Sequence, residues 1–85
     1  MILFRRIVKL ESDNWCYAQE LYLRSKLTDP IEFERVLEGV LSKYDDPRLD
    51  QLCIESELGK NTSGLFLAIK SNHREILKLK KIIRV

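Results

Sequence analysis

The hydrophobic pattern is most regular in the middle of the chain. In "DPIEFERVLEGVLSKY", Phe33, Val36, Leu37, Val40, Leu41 and Tyr44 recur at offsets of three and four, which is one face of an α-helix. Asp29 before Pro30 supplies a cap and a first helical residue, and Glu32 stands three positions after the cap. Gly39 weakens the interior by about 1 kcal/mol relative to alanine without interrupting the pattern. The same punctuation returns in "DDPRLDQLCIESELGK". There Asp46 and Pro47 open a helix, Leu49, Leu52 and Cys53 share a side with Ile54 and Leu58 beside them, and Gly59 is the stop.

Upstream, "SDNWCYAQELYLRSKL" predicts a helix after Ser12 or Asp13, with Trp15, Ala18 and Tyr22 on one stripe. Downstream, Thr62 or Ser63 opens a short apolar helix, "GLFLAI", and Asn72 followed by Glu75 signals a new cap before a terminal helix. The openings at Ser12, Asp29, Asp46 and Ser63 are seventeen residues apart each time. That rhythm suits stacked antiparallel helices. Residues 1–10 fit two periods: Leu3, Ile7 and Leu10 match a helix, and Phe4, Val8 and Leu10 match a strand. The expected fold is all-α, one domain over residues 1–85, with four or five short helices stacked as antiparallel pairs in a hairpin array or small bundle.

Residues 59–79 resemble one degenerate ankyrin repeat. In "SGLFLAI", Leu65, Leu67 and Ala68 match the start of the repeat; in "NHREILKL", His73, Glu75, Ile76 and Leu79 match its turn and second helix, with Leu77 a conservative change. The pattern departs at Ser63, Gly64, Phe66 and Lys80, and "DPIEFERVLEGVLSKY" upstream carries no matching turn. The resemblance covers about a quarter of the chain. It implies a short helix, a tight turn and a longer antiparallel helix, in a scaffold that binds proteins and performs no chemistry.

Charge sharpens the picture by its distribution. Residues 1–9 carry +3, residues 10–69 carry −6 and residues 70–85 carry +5, giving the net +2. Ends that fold back on the middle explain this, and so does a partner with its own charge pattern. Cys16 and Cys53 match no metal-ligand spacing and fall on apolar helix faces, which predicts buried free thiols in a reducing compartment, the cytoplasm. A single disulfide between them stays open. "MILFRRIVKL" has no signal-peptide character, and no apolar run approaches the ~20 residues of a membrane span.

Candidate chemistry is sparse. His73 stands at an expected helix start, where a turn hydrogen bond explains it. Asp45, Asp46 and Asp50 cluster at another start, where capping and the helix dipole account for them, and no calcium-loop spacing follows. No phosphate loop is present, so the expectation is a non-enzyme without cofactor or metal. The terminal helix carries the functional expectation instead. Ile76, Leu79 and Ile83 form a seam widened by Leu77 and Ile82, beside a basic stripe of Arg74, Lys78, Lys81 and Arg84 with Lys80 next to it. Arg74, Lys78, Leu79, Lys81, Ile82 and Arg84 are the expected partner-binding residues. The apolar arc is too wide for one buried side, which points to a protein partner or to a homodimer through this helix. A nucleic-acid regulator using the basic ends is the alternative; the pI of 8.6 is modest for it and no aromatic residue interleaves with the charges. The membrane reading is weaker, because the apolar face lacks Trp and Phe.

Overall fold

Ile7, Leu10, Asn14, Tyr17 and Leu21 keep one helical face with a single polar member, and that face carries one helix straight through the expected start at Ser12. In the computed structural model, which describes residues 2–43 and 45–83, α1 spans Ile2–Arg24. Ile7, Leu10 and Leu21 are its buried residues, and the Lys9–Asp13 ion pair, one turn long, spans the Ser12 position. The ambiguity of residues 1–10 thus resolves to helix for residues 2–10. Three further helices follow: α2 (Pro30–Leu41), α3 (Pro47–Leu58) and α4 (Ser63–Ile83). The all-α expectation holds. There are four helices among the described residues, two of them longer than expected.

The caps act as their residue types dictate. Asp29 accepts a hydrogen bond from the Ile31 N–H at 3.0 Å, and Asp46 accepts one from Arg48 at 2.9 Å, each ahead of its proline. Glu32 does not complete a capping box; it pairs with Arg35. α3 stops at Gly59, whose φ of 108° lies where a Cβ is strained, and Asn61 follows at φ 64°. The Lys26 N–H donates to the Leu58 carbonyl at 2.8 Å, so the α1–α2 linker caps the end of α3.

Helix α4 is continuous where the sequence predicts a short helix, a turn and a second helix. Neither proline nor glycine follows Gly64, and Ile69, Asn72, Ile76 and Leu79 keep one face toward α1 throughout. The amide of Asn72, expected as a cap, donates instead to Asn14 Oδ1 on α1 at 3.0 Å. Asn14 in turn donates to the Ile69 carbonyl at 3.2 Å. Glu75 forms an ion pair with Arg6. These pairs join low numbers on α1 to high numbers on α4, so the two long helices run antiparallel.

Two apolar clusters follow. The larger holds Leu21, Phe33, Leu37, Val40, Ile54, Leu58, Phe66 and Ile69 from all four helices, with Tyr22 edge-on to Phe33 at 5.2 Å. The smaller holds only Ile7, Leu10 and Ile76, with Leu79 against it, from α1 and α4 alone. The short helices therefore cover one half of a long hairpin and leave the other half, here the tip, as two bare helices.

The packing of α3 corrects two expectations. Leu49 and Leu52 face solvent, while Asp50 is buried with Ile54 and Leu58. Asp50 is drawn inward by Lys70 of α4, whose Nζ donates to Asp50 Oδ2 at 2.6 Å with both side chains almost fully enclosed. Cys16 is exposed rather than buried, Cys53 is half-buried, and both are free thiols.

The buried pair generates a prediction. Lys70→Ala leaves the Asp50 charge enclosed without its ammonium and should cost about 3–5 kcal/mol. The double variant Asp50→Leu with Lys70→Met should recover most of that loss. Urea denaturation followed by circular dichroism reads both. A double variant as unstable as the single would show that the pair does not set the packing of α3 on α4.

Candidate apolar groove on the long hairpin

Helical geometry places Phe4, Val8, Glu11, Trp15 and Tyr22 on one side of α1, at offsets of four, three, four and seven. The stripe is about 27 Å long at 1.5 Å per residue. Its lower part forms one wall of a groove of about 940 Å³ between α1, α2 and α4. Trp15, Ala18 and Tyr22 come from α1, as the sequence pattern groups them; Phe33, Leu37 and Leu41 come from α2. Ile69, His73, Ile76 and Leu77 come from α4. Trp15 is 65% exposed, and Leu77, Phe4 and Val8 are exposed too. An indole left in water at the edge of an apolar trough is unusual for a residue this large.

The groove is asymmetric in charge. Glu11 on α1 and Glu34 and Glu38 on α2 line it, opposed by Lys80 of α4. The hairpin tip is the reverse. Residues 2–9 and 74–83 hold Arg5, Arg6, Lys9, Arg74, Lys78, Lys80 and Lys81 against the single acid Glu75. The acid-rimmed groove and the basic tip overlap at Ile76, Leu77 and Lys80.

The residues expected to bind a partner do not share one face. Leu79 turns inward and packs on Ile7, Leu10 and Ile76. Arg74 forms an ion pair with Asp45 at the surface, a contact of small energetic weight. Lys78, Lys81 and Ile82 are exposed, and Arg84 lies outside the described residues. The groove side of α4 is instead His73, Leu77 and Lys80. His73 sits in mid-helix rather than at a helix start, half-buried on the groove wall. The Trp15 stripe is visible in the sequence, but nothing there shows that α2 stops short of its upper half.

A second cavity, of about 560 Å³, lies where α3 begins against α4 and includes Asp50, Lys70, Ser71 and Arg74. Asp50 Oδ1 is buried there with no hydrogen-bond partner among the described residues. Lys70 already meets the other carboxylate oxygen, so the cavity floor is an internal ion pair. Among the described residues, no three His, Cys, Asp or Glu side chains are placed to hold a metal ion, and no helix is long and apolar enough to cross a membrane. Compared with known proteins, the chain matches no family model, no curated protein and no solved structure.

Packing separates the two kinds of α4 residue. Leu79→Asp puts a charge into the smaller cluster and should cost at least about 2 kcal/mol, read as an earlier urea midpoint. Lys78→Glu with Lys81→Glu, both on exposed sites, should shift stability by no more than about 0.5 kcal/mol each. Equal losses from both variants would mean that the basic residues are packed as tightly as Leu79.

Proposed function

We propose that this chain is a non-enzymatic protein–protein interaction module whose contact surface is the Trp15 groove and the stripe that continues it along α1. The observation that carries the reading is a vacant helix-sized position. α2 covers the lower half of the α1–α4 hairpin, and among the described residues no element covers the upper half, although Phe4, Val8, Trp15 and Leu77 are apolar there. Filling that position with an amphipathic helix buries these side chains at about 25 cal/mol per Å² of apolar area before ordering costs. The Glu11, Glu34 and Glu38 rim selects a helix with basic flanks, since acidic flanks would meet like charge. The basic outer stripe of α4, with Lys78, Lys81 and Ile82, is then a secondary contact. In this reading the module holds a partner and leaves chemistry to it.

A second reading, association with nucleic acid, rests on the seven basic residues of the tip. The two differ in salt response, because phosphate contacts weaken steeply with salt and apolar contacts persist.

The test is a titration of the full chain with two labelled amphipathic helical peptides, one of leucine and lysine and one of leucine and glutamate, followed by anisotropy. The lysine peptide should bind at least tenfold more tightly, its binding should survive 0.5 M salt (a Debye length of roughly 4 Å) and be lost in Trp15→Glu. Equal affinity for the two peptides, or binding unaffected by Trp15→Glu, would contradict the reading. Binding of duplex DNA in the same assay, abolished by salt, would favour the second one.

A further inference from the structure

The antiparallel pairing of the long helices puts the start of α1 beside the end of α4. The register set by Asn14 and Asn72 brings Leu3 and Phe4 level with Ile83 and Ile82. Five apolar side chains meet at this apex, and all are exposed: Ile2 at 86%, Phe4 and Ile82 at 58%, Leu3 and Ile83 at 37%. They do not form one stripe. At about 100° per residue, Ile2, Leu3 and Phe4 span roughly 200° of α1, so the apex is apolar nearly all round. Among the described residues no third helix joins the apolar cluster below it, which α1 and α4 build alone.

Directly behind the apex lies a belt of cations. Arg5, Arg6 and Lys9 on α1 and Lys78, Lys80 and Lys81 on α4 are all exposed, and residues 2–9 and 78–83 contain no acid. At about 1.5 Å per residue these side chains start roughly 3–10 Å behind the end of the hairpin. Arg6 is tied to Glu75 and Lys9 to Asp13. Among the described residues, Arg5, Lys78, Lys80 and Lys81 form no ion pair.

We infer that this apex inserts end-on into the interface of an anionic lipid membrane. Its apolar side chains enter the boundary between headgroups and acyl chains, and the belt meets the acidic headgroups. Two features favour lipid over nucleic acid, the other large anionic surface. Exposed apolar side chains at the leading edge gain nothing from a phosphate backbone, whereas an interface buries them. The axial order, apolar first and basic behind, is also the depth order of acyl chains and phosphates, within the ~5–10 Å that interfacial apolar groups reach. Lysine and arginine stems lie along apolar surface while their heads stay with the phosphates. Each basic residue at such a surface is worth about fivefold in affinity. Taken alone, α4 offers no aromatic residue for an interface; the fold supplies Phe4 from α1, level with Ile82. The Trp15 groove lies farther down the hairpin, so the inference goes beyond the reading of that groove and does not rest on it. Only Phe4 belongs to both surfaces.

Vesicle sedimentation tests this with the full chain and exposed positions only. The probes are vesicles of phosphatidylcholine, with or without a quarter of phosphatidylserine. The chain should bind the anionic vesicles at least about tenfold more tightly than the neutral ones. Phe4→Asp with Ile82→Asp, and separately Lys78→Glu with Lys81→Glu, should each weaken that binding at least about tenfold and leave the helical circular dichroism unchanged. Insertion itself is read in Phe4→Trp with Trp15→Phe, which keeps an aromatic residue at both positions. Its emission should shift to shorter wavelength on anionic vesicles and be quenched by lipids brominated in their acyl chains. Equal binding to both vesicles, binding to neither, or water-like emission from the vesicle-bound chain would overturn the inference. So would anionic binding that Phe4→Asp with Ile82→Asp leaves intact. Duplex DNA bound equally well by that variant and by the unchanged chain would then assign the tip to nucleic acid.

Discussion

Everything in this fold depends on the antiparallel pairing of α1 and α4. These are the two longest helices, and they alone build the tip, where Ile7, Leu10, Ile76 and Leu79 meet. Asn14 locks their register near the middle by reaching both the Ile69 carbonyl and Asn72. Hydrogen bonds of this kind add little net stability, about 1 kcal/mol each, but leaving either amide unpaired on sliding would cost more. Arg6 and Glu75 repeat the register nearer the tip, at the surface. Of the short helices, α3 is fastened to this frame through Lys70 and Asp50, while α2 packs on α3 and sets Phe33 against Tyr22 of α1.

That arrangement explains what was legible in the sequence. The proline-led helices announced themselves because their caps are local: Asp29 and Asp46 act within two residues of their own positions. The face of α2 was legible too, since Phe33, Leu37 and Val40 are all buried. What failed depends on partners distant in sequence. Ser12 and Asn72 are good cap residues, and the helical face that runs past each of them, matched on the facing helix and joined by the Asn14–Asn72 hydrogen bond, keeps both inside helices. Asp50 reads as a helix-start carboxylate until Lys70, twenty residues away, makes it part of the interior. Cys16 is exposed because its neighbours one turn away, Ser12, Asp13, Gln19 and Glu20, are all polar.

The candidate site was half legible for the same reason. Trp15, Ala18 and Tyr22 group by spacing, but whether a stripe is core or surface depends on how far the neighbouring helix extends. Here α2 is twelve residues long and α1 twenty-three. The length mismatch exposes the upper stripe, whereas the basic residues that stand out in the sequence lie on the outer side of α4 and Leu79 packs inward. The acids Glu34 and Glu38 line the groove on α2, and Lys80 lines it on α4.

The central claim is that the stripe around Trp15 is a surface made to be covered. The chain has one tryptophan, so its fluorescence reports that surface alone. The most direct measurement is the emission maximum of Trp15, with its accessibility to iodide, as the tryptophan-free leucine–lysine peptide is titrated in. The account predicts a shift to shorter wavelength and loss of quenching as the peptide binds. Water-like emission and full quenching at saturating peptide would contradict it.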